Sequence, residues 1–90
     1  MLTIHISTRF KRSFKKLSPA VKQDFAQRLE RFMAHPFEPT LGTHKLEGRL
    51  ETCYAFCLKG GYRVLFDFQD SGNALFIDIG RHDDYAKWAR

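Results

Sequence analysis

Apolar and polar residues alternate at the start of the chain and then change to helical spacing. In LTIHIS, at positions 2–7, every second residue is apolar, which predicts a short strand with one buried face. Beyond it, Phe10, Phe14 and Leu17 recur at intervals of three or four residues, which predicts a short amphipathic helix. The chain therefore opens with a strand followed by a helix.

A second helix is predicted in SPAVKQDFAQRLERFMAHP, residues 18–36. Ser18 is a suitable N-cap, and Pro19 stands at the first helical position, where the amide hydrogen that proline lacks would have no partner. An apolar stripe follows at helical spacing, and Pro36 ends the element. The stripe consists of Val21, Phe25, Leu29, Phe32 and Met33. The two helices form a hairpin, and residues 36–51 are predicted to be a loop.

The second half of the chain is predicted to be an antiparallel sheet. Gly60 and Gly61 separate TCYAFCLK from YRVLFDF, and their freedom to adopt positive φ suits a tight hairpin turn. QDSGN supplies the next turn, and ALFIDIG supplies the last strand. With a two-residue turn, Cys57 lies opposite Val64 and faces the core. The alternation on the following strand puts Arg63 on the face away from the core.

These elements give the order β-α-α-β-β-β in one α+β domain over residues 1–90, with the N-terminal strand and helical hairpin packed on a small antiparallel sheet. Ninety residues allow one modest core, and 43% hydrophobic residues are too many for intrinsic disorder. No run approaches the roughly 20 apolar residues of a membrane span, and the first ten residues do not resemble a signal peptide. We therefore expect a cytoplasmic protein without a membrane partner.

The two cysteines, Cys53 and Cys57, lie four residues apart on one predicted strand, with Cα atoms about 13 Å apart. That separation is too large for a disulfide within a straight strand. Neither belongs to a CxxC pair or a tight cluster with histidine. The sequence predicts two free thiols and no metal site.

Positive charge is concentrated near the start of the chain. The formal net charge is +5, and residues 1–22 contain six lysines and arginines and no acid. These are Arg9, Lys11, Arg12, Lys15, Lys16 and Lys22. Such a surface attracts phosphate groups or an acidic protein segment. The alternative is an ordinary solvated face of an amphipathic helix.

Three segments, THKLEG at 43–48, GYRVLFDF at 61–68 and IDIGRHDDY at 77–85, together with the element order, resemble the RelE/ParE superfamily of bacterial toxins from type II toxin–antitoxin modules. The likeness is nearest to the YafQ-like and RelE-like members, which cut mRNA, and it covers essentially the whole chain. Each segment is short, so the resemblance depends on their spacing within one small basic chain.

The resemblance implies a toxin that enters the ribosomal A site and cuts the messenger there without a metal or another cofactor. The 2′-hydroxyl of the RNA attacks the adjacent phosphate, which leaves a cyclic phosphate and a 5′-hydroxyl end. Such a reaction needs a base, an acid and cations near the phosphate. The implied partners are mRNA, the ribosome with its rRNA, and a cognate antitoxin protein in a hetero-oligomer.

Two histidines match catalytic positions of YafQ-like toxins. His82, in GRHDDYAKWAR after the last strand, matches the C-terminal catalytic histidine, and imidazole titrates near neutral pH. His44 matches the histidine that opens the corresponding loop segment and is a second acid or base, or an RNA contact. The alternative for each is a surface histidine without a catalytic role.

Two arginines match cationic positions. Arg63 matches the strand arginine that RelE-like members place on the scissile phosphate, and its planar fork suits that role. Arg81 offers a second cation at the end of the last strand. The alternative for these arginines is a structural ion pair, with Asp67 or Asp78 as the cross-strand partner of Arg63.

Other residues are candidates for RNA binding. Tyr85 and Trp88 are expected to stack on a base, or else to attach the C-terminal segment to the domain. Lys45 is a candidate phosphate contact, or a solvating residue of its loop. The basic side chains of the first helix are expected to contact rRNA, namely Lys11, Arg12, Lys15 and Lys16.

The match is incomplete, and two other functions stay open. Where the YafQ-like hairpin supplies another histidine and an aspartate, this chain has Cys57 and Gly61. The ParE branch places DNA gyrase poisons on the same scaffold, and fold alone does not select between branches. The third reading is a non-enzymatic basic module that binds nucleic acid or an acidic protein.

Overall fold

The structure, a computed structural model, describes residues 1–88, apart from the side chains at positions 49, 82, 85 and 86. The helices and strands within these residues are β1 (Thr3–Ile6), α1 (Thr8–Lys15), α2 (Pro19–Ala34), β2 (His44–Lys45), β3 (Tyr54–Cys57), β4 (Tyr62–Asp70), β5 (Asn73–Arg81) and α3 (Tyr85–Trp88). Short 3₁₀ turns lie at Pro39–Leu41, Gly48–Leu50, Lys59–Gly61 and His82–Asp84. The predicted α+β class and the order of the first elements are confirmed.

The strands form one sheet in the order β1-β5-β4-β3-β2. β3, β4 and β5 make the predicted antiparallel meander. β1 lies parallel to β5, with Ile4 opposite Ala74, so the sheet is mixed rather than wholly antiparallel. Parallel pairing is available to β1 because a long connection through both helices separates it from β5. β2 is a two-residue strand within the segment predicted to be a loop.

Serine residues cap both long helices at their starts. The Ser7 hydroxyl accepts a hydrogen bond from the Phe10 amide at 3.0 Å, and the Ser18 hydroxyl accepts one from the Val21 amide at 3.3 Å. The second cap confirms the predicted start of α2, with Pro19 in its first turn. The α2 helix ends at Ala34.

Aromatic side chains fill the space between the helices and one face of the sheet. Phe32 of α2 is fully buried, and its ring centroid lies 4.9 Å from that of Phe56 and 4.8 Å from that of Phe66. Phe10 of α1 lies 5.7 Å from Phe76 of β5. Contacts of this kind supply most of the hydrophobic stabilisation available to a small domain. The predicted apolar stripes of both helices therefore face the core.

A second apolar cluster covers the centre of the opposite face of the sheet. It contains Leu46, Cys53, Ala55, Leu65 and Trp88. Since Trp88 belongs to α3, the C-terminal segment folds back over the sheet instead of extending into solvent. The face that holds Arg63 is therefore partly covered.

The β3–β4 hairpin corrects the predicted register. Val64 lies opposite Phe56, and Arg63 lies opposite Cys57. The turn is three residues long, Lys59–Gly61, and its two glycines have φ values of 76° and 80°. The additional turn residue shifts the pairing by one position, which moves side chains to the other face. The prediction that Cys57 faces the helix-covered core is thus wrong, and its thiol lies on the face of Arg63.

Three features of the described residues concern membrane spans, metal binding and disulfides. No helix within residues 1–88 is long and apolar enough to cross a bilayer. Across the same part of the chain, histidine, cysteine and acidic side chains do not gather in groups of three that would hold a metal ion. Cys53 and Cys57 are free thiols, which confirms the prediction that they form no disulfide.

Candidate active site at the end of the sheet

One end of the sheet brings together the C-terminal ends of β3 and β5, the N-terminal end of β4 and the short β2. Arg63 lies opposite Cys57 on one side and Gly80 on the other. His44 of β2 lies opposite Ala55 of β3. Residues directly opposite each other share a face, and residues two apart on a strand share it as well. His44, Cys57 and Arg63 therefore all project from the face that carries the second apolar cluster.

Arg63 is the half-buried cation of this group. Its Nη1 donates to Cys57 Sγ at 3.4 Å. Arg63 lies between Cys57 and Gly80 on the neighbouring strands, and its contact with the Cys57 thiol holds the guanidinium at the end of the sheet. A planar cation held in this way is suited to two-point binding of a phosphate group.

His44 and Lys45 are exposed neighbours on β2 that differ in the face they serve. The Nδ1 atom of His44 lies 2.9 Å from the Gly42 carbonyl oxygen, which orients the imidazole ring. Lys45 lies opposite Tyr54, whose ring packs against the helix-covered core. The structure therefore places His44 on the face of Arg63 and Lys45 on the other.

Arg81 lies close to Arg63 along the sheet but on the opposite face. It pairs across the strands with Tyr62, and its guanidinium carbon lies 5.5 Å from the centre of the Tyr62 ring, in cation–π geometry. Tyr62 packs against the helix-covered core. The two arginines that the resemblance groups together are thus separated by the thickness of the sheet.

A 3₁₀ turn, His82–Asp84, follows β5 directly. Asp84 Oδ2 accepts a hydrogen bond from the Arg81 amide at 2.8 Å, and Asp84 Oδ1 lies 3.4 Å from Lys87 Nζ. This carboxylate fixes the turn that begins with His82 at the same end of the sheet as Arg63. The side chains of His82 and Tyr85, both predicted site residues, lie outside the described part of the structure.

Trp88 is buried, with 5% of its surface exposed. Its indole Nε1 donates to Asp78 Oδ2 at 2.8 Å, and Arg9 Nε lies 3.0 Å from the same oxygen. An indole enclosed in this way cannot stack on an RNA base without leaving the second cluster. The burial agrees with the alternative role of attaching the C-terminal segment. Asp78 thus pairs with Arg9, a cation on α1 that the sequence does not connect with it.

The predicted RNA-binding residues of α1 and its C-cap are all exposed: Lys11, Arg12, Lys15 and Lys16. The helix packs against β5, where the Ser7 hydroxyl at its start donates to the Ile77 carbonyl at 2.6 Å. An open apolar groove of about 300 Å³ lies beside it. Its lining is Ile6, Phe10, Phe14, Phe25, Lys11, Lys15 and Lys22. The basic surface of α1 thus borders apolar side chains instead of forming a uniform charged face.

An ion pair on α2 between the buried Asp24 and the half-buried Arg28 was not among the predicted features. Arg28 Nε donates to both oxygens of Asp24, at 3.2 and 3.0 Å, and the Lys59 amide donates to Asp24 Oδ2 at 2.8 Å. Burial acts to raise the pKa of Asp24, but the hydrogen bonds from Lys59 and Arg28 outweigh it, so the pKa is lowered from its ordinary value. The spacing of Asp24 and Arg28, four residues apart on one helix, is the signal that would have indicated the pair.

The thiol of Cys53 differs chemically from that of Cys57. Cys53 is buried in the second cluster, and this burial raises its pKa because the thiolate would lose its hydration. The Cys57 thiol is half-buried and contacts a guanidinium. Cys57 is thus the cysteine that belongs to the candidate site.

No protein-family model and no curated protein matches the chain. Solved structures do match it along nearly its whole length. A chain of the Escherichia coli RelBE toxin–antitoxin complex superposes with a TM-score of 0.72 at 22% identity, covering 90% of this chain and 96% of that one. The YoeB/ParE toxin from Agrobacterium tumefaciens gives 0.76 at 10% identity, with 90% and 99% covered. YafQ from E. coli gives 0.70 at 12% identity, with 94% and 98% covered.

These matches extend over more than nine-tenths of each solved chain. At 10–22% identity the likeness concerns the fold. The chain has the RelE/ParE toxin fold, as the resemblance of its sequence segments predicts.

Proposed function

We propose that this protein is the toxin of a bacterial type II toxin–antitoxin module and that it cuts mRNA on the ribosome without a metal cofactor. The observation that carries the proposal is the position of Arg63, half-buried beside Cys57 on the same face as His44. His82 begins the turn at the same end of the sheet. The shared fold supports assignment as a toxin, and this group of residues supports the RNA-cutting branch.

The residues divide the steps of a phosphodiester transesterification among them. A histidine, His44 or His82, takes the proton of the 2′-hydroxyl as its oxygen bonds to phosphorus. Arg63 stabilises the negative charge that develops on the phosphorane oxygens. The bond between phosphorus and the 5′-oxygen then breaks, and the other histidine gives that oxygen a proton. The products are a cyclic phosphate and a 5′-hydroxyl end.

Residues outside this group bind RNA in the proposal rather than taking part in the chemistry. The basic side chains of α1 contact rRNA phosphates, with a salt-dependent affinity. Arg81 and Lys45 lie on the face of the sheet opposite to Arg63, and they add positive charge at the margin of the candidate site. Tyr85 is proposed to stack on a base. Trp88 receives no RNA contact because it is buried.

The proposed partner besides mRNA and the ribosome is a cognate antitoxin. One of the matching structures is a toxin–antitoxin complex. An antitoxin with an acidic segment would be attracted to the exposed basic residues of α1. Action on ribosomes places the proposed activity in the cytoplasm.

A ParE-like gyrase poison is the second candidate function. It is favoured by the separation of Arg81 from Arg63 and by the burial of Trp88, because both reduce the number of groups available to cut RNA on one face. A gyrase poison needs no acid and base pair at the end of the sheet. The two functions therefore differ in whether His82 and Arg63 are required.

The test is a cell-free translation reaction with a defined messenger, in which RNA ends are mapped by primer extension with and without ribosomes. Wild-type protein is compared with His82→Ala and Arg63→Ala. The matched control is His5→Ala, which removes an exposed histidine whose Nε2 lies 2.9 Å from Asn73 Oδ1.

Ribosome-dependent cuts that disappear in the first two variants and persist in the control are the expected result. If the wild-type protein leaves the messenger intact, a gyrase supercoiling assay tests the second candidate function. If the protein affects neither reaction, it is a binding module, and loss of the α1 lysines should then abolish its binding with a reduced salt dependence.

A further inference from the structure

The Asp24–Arg28 pair joins α2 to two chain segments that reach the candidate site. Arg28 Nη1 donates to the Thr40 carbonyl at 3.2 Å and to the Cys57 carbonyl at 3.1 Å. Asp24 accepts from the Lys59 amide, in the turn that precedes β4. One guanidinium and one carboxylate thus contact backbone groups on both sides of the site.

The first of these segments carries His44. Thr40 lies in the 3₁₀ turn Pro39–Leu41, and the chain then passes through Gly42, whose carbonyl oxygen contacts the His44 ring. A side-chain carbon at Gly42 would lie 3.3 Å from Cys57 Sγ, so the two segments are already in close contact there. The position of the Thr40 carbonyl therefore influences where the His44 ring lies.

The second segment carries Arg63. Cys57 ends β3, Lys59 begins the turn, and Arg63 lies opposite Cys57 with its Nη1 on the thiol. Because one nitrogen of Arg28 binds both the Thr40 and Cys57 carbonyls, these two backbone groups cannot separate without losing a hydrogen bond. The pair consequently sets the distance between the segment of His44 and the segment of Arg63.

Stability alone does not explain an ion pair at this place. Asp24 is 7% exposed, and apolar residues of similar size usually stabilise a protein as well as a buried ion pair does. What apolar residues cannot supply is directed hydrogen bonding to the Lys59 amide and to two carbonyls. These bonds account for charged side chains beneath the turn.

We infer that Asp24 and Arg28 are positioning residues, which hold the segments of His44 and Arg63 in the mutual arrangement that RNA cleavage requires. The inference rests on the proposed function for its catalytic part. Its structural part, that the pair fixes the contact between Gly42, Cys57 and Arg63, stands independently of any activity.

The structural part is tested by the reactivity of the Cys57 thiol. The variants Arg28→Lys and Arg28→Ala are made in a Cys53→Ala background, which leaves Cys57 as the one thiol. The rate at which 5,5′-dithiobis(2-nitrobenzoate) modifies this thiol is measured in each variant and in the background protein. A lysine keeps the charge near Asp24, but its single nitrogen cannot bond Asp24 and both carbonyls in the geometry of the guanidinium. The control is Arg31→Ala on the same helix, which removes an exposed side chain that contacts only the Thr40 hydroxyl, at 3.5 Å, among the groups of this turn.

Faster modification in both Arg28 variants, with an unchanged rate in the control, is the expected result. Circular dichroism shows which variants remain folded, and Arg28→Lys decides the question if Arg28→Ala unfolds. A folded Arg28→Lys variant that reacts at the wild-type rate overturns the inference.

The catalytic part is tested in the translation reaction by measuring ribosome affinity and cleavage rate separately. Arg28→Lys should lower the cleavage rate about 10- to 100-fold with little change in ribosome affinity, as expected when a residue acts through the position of others. A wild-type rate in this variant overturns the catalytic part. If even the wild-type protein does not cut, the proposed function fails, while the thiol measurement still decides the structural part.

Discussion

Trp88 donates a hydrogen bond of 2.8 Å to Asp78, a buried carboxylate on the central part of β5. The same oxygen lies 3.0 Å from Arg9 Nε at the start of α1, and the other oxygen accepts from the Ile79 amide at 2.8 Å. One carboxylate thus joins α1, β5 and α3. The basic helix and the C-terminal helix are held to the sheet through a shared residue.

We expect Asp78→Ala to lower the free energy of unfolding by about 1–3 kcal/mol, because the buried indole loses its charged acceptor and Arg9 loses its ion-pair partner. The sequence contains one tryptophan, so its emission should shift to the red as α3 loosens. Asp67→Ala, a half-buried carboxylate on β4, is the control. An unchanged emission maximum in Asp78→Ala would show that the carboxylate does not hold α3.

The packing of the phenylalanine side chains predicts a graded response to their truncation. Phe25 is 7% exposed and lies 5.2 Å from Phe14, so Phe25→Ala should cost about 3–5 kcal/mol. Phe37 is 58% exposed, and Phe37→Ala should change stability by about 0.5 kcal/mol or less. Urea denaturation measures both. Equal losses for the two variants would contradict the described core.

The lowered pKa of Asp24 predicts that the protein loses stability in acid. Its pKa in the folded protein is below the ordinary value of about 3.9, so the charged form stabilises the fold at pH values above that range. This contribution is lost as the pH falls below about 4 and the carboxylate is protonated. The difference in stability between wild type and Asp24→Asn should therefore shrink over this range in denaturation curves recorded between pH 7 and 3. A constant difference would rule out the charged carboxylate as its source.

Gly80 makes room for the turn that carries His82. A side-chain carbon at Gly80 would meet the Asp84 carboxylate, with its Cγ only 3.0 Å away. Gly80→Ala should therefore displace the turn and lower the free energy of unfolding by about 1–3 kcal/mol. It should also lower the rate of the proposed cleavage in protein that remains folded.

The matched control for this substitution is Gly72→Ala, where the nearest atom lies at an ordinary 3.8 Å. The double variant Gly80→Ala, Asp84→Ala removes the clash and should recover part of the stability lost in Gly80→Ala. Thermal denaturation of the two single variants and the double variant gives the coupling between the positions. Additive losses would show that the Asp84 side chain is not what limits position 80.

Features that depend on local spacing are the ones a sequence predicts well. The caps Ser18 and Pro19 act within one helical turn, and the stripe through Phe25 and Phe32 repeats within one helix. The strands of the meander are separated by short turns with glycine. All of these can be recognised without knowing what packs against them.

Features that depend on distant contacts are not predictable in this way. Trp88 is buried because α3 returns to a cluster built from several separate segments, and Asp78 meets Arg9 from the other end of the chain. The separation of Arg81 from Arg63 follows from strand alternation but required the register to be known. Arg63 and His44 do share a face, although nothing in their local sequence brings them together.

The three-residue turn Lys59–Gly61 governs how residues on β3 and β4 can be compared between chains of this fold. A turn of only Gly60 and Gly61 in the same sequence would draw Lys59 into β3, pair Cys57 with Val64 and move Phe56 to the outer face. Deletion of Lys59 would instead shorten the turn and leave Cys57 opposite Arg63. Positions on β3 and β4 in two such proteins are therefore matched by their cross-strand partners and not by the length of the turn between them.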